Sequence, residues 1–518
     1  MSCLSRSTNR LSIWAGLSLV AGLLGLLLVA CGGQIPQASL EATAPVGEVA
    51  AAAPTDTPVP LILLKTDPEV GPVGTAFTVT GNGFPPGKPV EFVWGTVDGT
   101  YHTELNNNRQ EFYERQFTPT RVSLGRATAD ASGKVTATFT APEDYGEIHD
   151  IYAVVDGEDV AKGGFRISRS VTISPQKGPV GTPITVTIKG LGWKAFVSTV
   201  ALRYDNKYTG FLSATTTRGT AVAQIRAAGP VGKHVIEIDG ASHTLPYLNV
   251  QQSPVAYIGD FQFDFTVTEN PAAPPPTLDW SDNDPLAVGD SVPRTTILGL
   301  GSASGVSASL SSSQGPIHSK SVLIAEGLPP EAPVDILWMT VSGNDLFGWN
   351  LAEQPLAKET VGKDGSLSTT IEVPHSLGGW HAIRLVRGET VLAELPYFVE
   401  RSLVHVTPRQ VKVGEPFQVQ IKGVGWTELD NGVAVTYDNA YIGYACGFAS
   451  QGDVTLNLVA TGEPGVHLID LYPMIYDGGH GKWPWQYTMP HLTALQDHPA
   501  LALGYKLPIF RLAIEIVE

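Results

Sequence analysis

Apolar and polar residues alternate over short runs along most of the chain, as in Phe77/Val79 or Val135/Ala137/Phe139, and Gly, Pro, Asn and Asp bound each run. A period of two places successive side chains on opposite faces of an extended strand, so these runs predict half-buried β-strands. Two segments break the pattern. Leu11 to Val29 is a nearly continuous apolar run behind Arg6 and Arg10, and Gly32 to Pro60 is Ala, Pro, Thr and Glu with few large apolar residues. The second composition cannot bury enough surface to offset chain entropy and predicts a disordered spacer over residues 31–60.

The strand pattern repeats. Pro68-x-x-Gly71-x-x-Gly74 leads through Phe77 and Val79 to Gly81-x-Gly83-Phe84, and Pro175-x-x-Gly178-x-x-Gly181 leads through Ile184 and Val186 to Gly190-x-Gly192-Trp193. A third version runs from Gly315 to Leu328 and a fourth from Pro408 to Trp426. A second level of repetition joins them in pairs. At a constant offset of 233 residues, Trp193 meets Trp426, Tyr204-Asp205-Asn206 meets Tyr437-Asp438-Asn439, and His234 meets His467. The first and third versions match at 244 from Trp94 to Trp338 and at 232 from His149 to His381, so the loop after Trp94 is 12 residues longer than its counterpart. The order is therefore A, B, linker, A′, B′.

Units of this size built from short strands suit two-sheet sandwiches. The Pro-x-x-Gly opening, the strand and the Gly-x-Gly-aromatic close resemble bacterial immunoglobulin-like modules of the TIG/IPT type, a resemblance that implies non-catalytic sandwich domains. An all-β chain of four tandem immunoglobulin-like β-sandwiches is expected: A at 61–168, B at 169–270, A′ at 308–400 and B′ at 401–518. Unit A′ departs from the motif, with His318 in place of Gly74 and no Pro-x-x-Gly start, so the motif does not predict its first strand. Residues 271–307, with Pro274-Pro275-Pro276 followed by Gly and Ser, read as a spacer that lets the two pairs move relative to each other.

Residues 1–30 have the layout of a secretory signal. Leu28-Val29-Ala30-Cys31 resembles the lipobox of bacterial lipoproteins, which implies a diacylglycerol on the Cys31 thiol, cleavage before it and acylation, for example by palmitate, of the freed amine. The alternative is an uncleaved membrane anchor. Either places the rest outside the cytoplasm, at the cell membrane. Cleavage would leave Cys446 alone, so no disulfide supports the fold, and Cys446 reads as a small buried hydrophobe. A net charge of −17 argues against nucleic acid as a partner.

Candidate chemistry is sparse. His149, His234, His381 and His467 share one repeat position but lie in four different units, so they cannot converge on a metal, and a structural role is expected. Asp205-Asn206 and its copy read as hairpin turns, and Trp94, Trp193, Trp338 and Trp426 as core aromatics. Asp279, Asp282, Asn283, Asp284 and Asp290 crowd oxygen atoms into the linker without EF-hand spacing; a solvated acidic linker is expected, with calcium on Asp279, Asp282 and Asp284 as the alternative. In B′, the connection after Leu471 is longer than in B and carries His480, Trp483, Trp485 and Tyr487, which are candidate ligand contacts because exposed rings beside polar groups stack on sugars or anchor proteins. The bland reading is that this loop covers an end of the last domain.

No Gly-x-Ser-x-Gly, His-Glu-x-x-His or Cys-x-x-Cys occurs, and no cofactor is expected. The leading expectation is a lipid-anchored extracytoplasmic protein acting as a non-catalytic binding or adhesion module for a polysaccharide or surface protein. A spacer of the cell envelope without its own ligand is the second reading. The third is an accessory subunit of a surface enzyme, or a hydrolase, with its site in the loop from His102 to Arg121 or in the B′ insertion.

Overall fold

The computed structural model describes residues 61–106, 108–194, 196–242, 244–252, 261–285, 301–344, 347–476 and 487–518. The chain is all-β and folds as tandem sandwiches, each a three-stranded sheet packed on a larger one. In B, Pro183–Lys189 lies between Ser170–Ser174 and Ala221–Arg226; the facing sheet runs Lys177–Gly178, Phe261–Val267, Gly232–Ser242, Thr199–Tyr204, Lys207–Ser213. In B′ the same order recurs through Ile509–Val517, Gly465–Pro473, Gly432–Tyr437 and Ala440–Cys446. Among the described residues no helix is long and apolar enough to cross a membrane.

Alternation explains the strands. Ile184, Val186 and Ile188 are buried while Thr185, Thr187 and Lys189 are not, and Phe417, Val419 and Ile421 repeat this in B′. Asp205-Asn206 and Asp438-Asn439 hold left-handed backbone at both turn positions, φ +50° and +63° in one and +46° and +61° in the other, which fits the right-handed twist of the flanking strands. Even irregularities repeat: a register shift at Leu202/Arg203 has its copy at Val435/Thr436.

The opening of A′ is formed, with strands Ser307–Leu310 and Gln314–Pro316 in place. His318 takes φ +67° where Gly74, Gly181 and Gly414 take +86°, +89° and +84°. The turn survives without glycine because the His318 amide still donates to Val373 O at 2.9 Å, as Gly74 does to Ala141 O.

Pairs A–B and A′–B′ meet through equivalent contacts. The Gly146 amide donates to Leu191 O and the Gly378 amide to Val424 O, at 2.9 and 3.0 Å. A Cβ at either glycine would overlap the carbonyl of Gly190 or Gly423, so glycine is what permits the approach.

The expected mobility between pairs is overturned. Val466, Leu468, Tyr472, Ile509 and Ala513, on the outer face of the large B′ sheet, belong to the core cluster of B. The linker joins in: Thr277–Asp279 adds an antiparallel strand to Ile509–Arg511, Leu278 packs on the B′ core, and Arg409 holds the Pro274 carbonyl at 2.6 Å. An extended proline-rich segment feeds naturally into an open sheet edge, and there it pairs rather than floats.

The 12 extra residues of A have a use. Pro89–Asn106 and Arg109–Thr128 form a long hairpin that reaches the A′/B′ junction. There Phe112 shares a cluster with Trp380 and Phe398 of A′ and Leu429, Ile475 and Tyr505 of B′.

Candidate functional site

Each of the four repeat histidines lies across an aromatic ring of its own unit. His149 stacks on Trp94 at 4.5 Å and His381 on Trp338 at 4.7 Å, while His234 and His467 lie 5.5 and 5.6 Å from Tyr204 and Tyr437. In A and A′ both ring nitrogens face carbonyls, Gly95 and Tyr145 for His149, Met339 and Leu377 for His381. In B and B′ one nitrogen meets the turn aspartate, Asp205 or Asp438, and the other a carbonyl, Pro230 or Glu463. Burial pushes His381 down to about 4; for His467 burial works the same way, but the Asp438 carboxylate outweighs it and holds the imidazole above its ordinary value. Lowered to about 4, the His381 ring carries a single N–H, which serves one of its two carbonyls, and in all four units the ring sits between strand and turn as a clasp.

Where A, B and B′ meet, Ser213, His491 and Asp497 come together in a way that invites comparison with a nucleophile triad. Ser213 Oγ lies 2.8 Å from His491 Nε2 and 2.6 Å from Asp497 Oδ2. The carboxylate is on the wrong partner: it touches the serine, not the far imidazole nitrogen, so it does not orient the base. It also accepts from the Thr215 and Thr216 amides, the Thr216 hydroxyl and the Tyr101 hydroxyl. All three side chains are buried, and burial with His498 nearby holds His491 well below the usual imidazole range. The arrangement is a polar rivet between units.

An open groove of about 710 Å³ lies at the A/B junction, lined by Gly95, Arg121, Ile148, Tyr152, Trp193 and Lys194 among others. Arg121 lies over the Tyr152 ring at 4.1 Å and is tied to Asp159 at 3.0 Å; Lys194 stands 5.7 Å over Trp193. Aromatic faces and cations together suit a ligand with flat apolar and anionic parts. A second cleft, about 410 Å³, lies between B and B′ and is lined by repeat equivalents such as Asp205 and Asp438 or Pro230 and Glu463.

Trp94, Trp338 and Trp426 are buried as expected, and Trp193 is not: it forms a wall of the A/B groove. The difference is the long hairpin, whose Asn108 carbonyl accepts from Trp426 Nε1 at 3.1 Å and has no equivalent over Trp193. Sequence reasoning treated the four tryptophans alike because their repeat positions are alike.

Of the other candidates, Cys31, His480, Trp483, Trp485 and Asp290 lie outside the described residues. Tyr487 is half-buried, edge-on to Phe112 at 5.0 Å and to Phe211 at 6.3 Å. Asp279 is paired with Arg511 at 2.7 Å, and among the described residues no three His, Cys, Asp or Glu side chains, Asp282 and Asp284 included, converge as metal ligands. Cys446 is only part-buried, and that burial pushes its thiol up to about 12. The loop from His102 to Arg121 is the hairpin itself.

No protein family and no curated protein matches the sequence. Solved structures that align with it include the D1–D4 ectodomain fragment of ICAM-5, 12% identical with a TM-score of 0.18 over 88% of this chain and 100% of that one. An Escherichia coli adhesin aligns at 12% identity and a TM-score of 0.15 over 66% of this chain and 96% of that one. Salmonella alpha-2-macroglobulin aligns at 9% identity and a TM-score of 0.17 over 86% of this chain, which spans 30% of that protein's length. At such TM-scores none of them carries an argument about function, and the reading rests on the chain's own geometry.

Proposed function

We propose that the chain is a lipid-anchored, non-catalytic binding or adhesion module on the extracytoplasmic face of the cell membrane, held there through Cys31 and binding a polysaccharide or a surface protein. The observation that carries this reading is the A/B groove: Trp193, Tyr152 and Ile148 stand open beside Arg121 and Lys194, while the meeting of Ser213, His491 and Asp497 is sealed and wrongly ordered for catalysis. A pure spacer gains length from domains set end to end. Here B packs on B′ and the A hairpin crosses to A′ and B′, which sacrifices length for a fixed arrangement of surfaces. Glycan arrays and pull-downs with defined surface proteins, using residues 61–518, test the reading. Specific retention that Trp193→Ala weakens is expected; retention of nothing returns the chain to the role of a spacer, and turnover of a retained glycan makes it an enzyme. Cys31→Ser should release the protein from the membrane fraction or leave an unprocessed precursor, and unchanged lipid labelling would remove the anchor.

A further inference from the structure

The duplication creates two junction grooves and two hairpins, and only one groove is filled. The A hairpin occupies the A′/B′ junction, which leaves over the A/B groove and the A′ hairpin, Pro333–Asn344 with Gly348–Thr360. We propose that the tip of the A′ hairpin, led by Phe347, docks in the A/B groove of a second copy of this chain.

The filled junction shows how a hairpin tip is held. Trp426 Nε1 donates to the Asn108 carbonyl at 3.1 Å, the Asn108 side chain donates to Trp349 O at 2.8 Å, and the Glu428 amide donates to Gln110 O at 3.1 Å. Trp193 has the same pose as Trp426: its ring lies 5.1 Å from His149 at 55°, against 5.5 Å and 58° for Trp426 and His381. Its N–H has no acceptor among the described residues and is left for a tip carbonyl of the kind that Trp426 meets. The floor differs in a way that leaves room. Where A′ has Met339, Trp380 and Ala382, all buried, A has Gly95, Ile148 and Asp150, and Ile148 is 59% exposed.

The tip supplies what this floor lacks. Phe347 is 86% exposed, and its amide donates to the Asn344 side-chain oxygen at 3.0 Å. Solvent offers nothing to offset that exposure, whereas Ile148, Tyr152 and Trp193 offer apolar and aromatic surface. The A′ strands are 12 and 13 residues against 18 and 20 in A. At about 3.4 Å per residue the shorter hairpin loses roughly 20 Å of reach, so it does not repeat the crossing that A makes, and a neighbouring copy removes that limit. Tip and groove are different surfaces, so the contact is head-to-tail and adds copies in a row. Confinement to a membrane would raise the effective concentration that so small a contact needs.

This inference rests on the groove being a binding site, as proposed above, and its test separates the two. Phe347→p-benzoylphenylalanine in the full chain, irradiated on membranes, should yield a cross-linked dimer whose linkage maps to residues 148–152 or 193–194 of the other copy. Gly95→Met, which copies the A′ floor, should abolish it while melting like the wild type, since a Cβ there meets nothing closer than 3.4 Å. Phe347→Ser, at an exposed tip, should melt like the wild type and weaken self-association by roughly tenfold, the equivalent of about 1.4 kcal/mol. Absence of a dimer, linkage outside the groove, or a dimer indifferent to Gly95→Met overturns the proposal. If glycan or protein retention stays sensitive to Trp193→Ala in that case, the binding reading stands and only self-docking falls.

Discussion

Asp470 sits where the two halves of the chain meet, and removing it is the sharpest test of their packing. Its carboxylate lies between Arg226 of B and Arg511 of its own unit, with Asp279 beyond Arg511 as the fourth charge. Arg226 also donates to Leu512 O at 2.6 Å, and Arg511 to Gln224 O at 2.8 Å and to the Tyr472 hydroxyl at 2.9 Å. Asp470→Ala leaves two buried guanidinium groups with one aspartate, a third exposed, between them. Stripping one partner from a buried, hydrogen-bonded charge group costs about 3–5 kcal/mol, because what remains stays desolvated. The repeat supplies a control. Glu237 stands at the equivalent position in B and pairs with Arg203 at 3.2 Å at a wetter site, and Arg203 keeps Asp239 when Glu237 is gone. Glu237→Ala should therefore cost no more than about 1 kcal/mol. Urea unfolding followed by tryptophan fluorescence measures both. Hydrogen exchange reads the contact directly, since amides of Ala221–Arg226 and Ile509–Val517 should exchange faster in Asp470→Ala alone. Equal losses in the two variants, or no change in exchange across the B–B′ contact, would refute the packing argument.

Other expectations follow from single positions. His318→Gly should stabilise the protein by about 1 kcal/mol in thermal melts, since a left-handed backbone costs a side chain that much and glycine nothing. Phe112→Ala should cost about 3–5 kcal/mol for a buried aromatic and loosen the A′/B′ junction in hydrogen exchange, not the core of A, where it is attached. The His381 imidazole, lowered by burial to about 4 from 6.5, binds its proton later than the unfolded chain does as pH falls. Its contribution is complete above pH 6.5 and is lost between there and pH 4, roughly 3 kcal/mol in all; His381→Gln should flatten that slope in melts across the window. A protease site introduced at residues 302–306 should be cut without separating the halves on gel filtration, because the B–B′ core persists; two separated fragments would restore the loose-linker reading.

The sandwiches were legible because alternation and turn residues are local. Thr185 and Thr187 turn outward between Ile184, Val186 and Ile188, and Asp-Asn supplies left-handed angles, with no reference to the rest of the chain. The clasped histidines were legible from their repetition, one per unit. The union of the halves was not, since it depends on the outer face of one sheet. Its signal lay in a comparison of copies: B reads Lys233, Val235, Glu237, Asp239 on that face, whereas B′ reads Val466, Leu468, Asp470, Tyr472. Apolar residues at both parities mark a strand buried on both sides, and a matched offset directs attention to identities rather than to such changes. The A/B groove was hidden for the same reason. Trp193 and Trp426 are one motif in the sequence, and only the position of a distant hairpin makes one a core residue and the other a wall.

That asymmetry follows from the order of events that a duplicated chain permits. Two equal pairs would present two equal junctions, and two long hairpins would each need a junction to fill. With 12 residues more in A than in A′, one hairpin crosses and the other stops short. The crossing places Phe112 among Trp380, Phe398 and Tyr505 and fixes A against A′ and B′; it buries the groove that A′ and B′ would otherwise share. The short hairpin leaves the A/B groove open and its own Phe347 in solvent. Stability is thus drawn from one junction and exposure kept at the other, and neither could be had from a symmetric repeat. The 12-residue difference between the hairpins is therefore what separates the two junctions: one hairpin carries Phe112 into a buried cluster, and the other leaves Phe347 exposed.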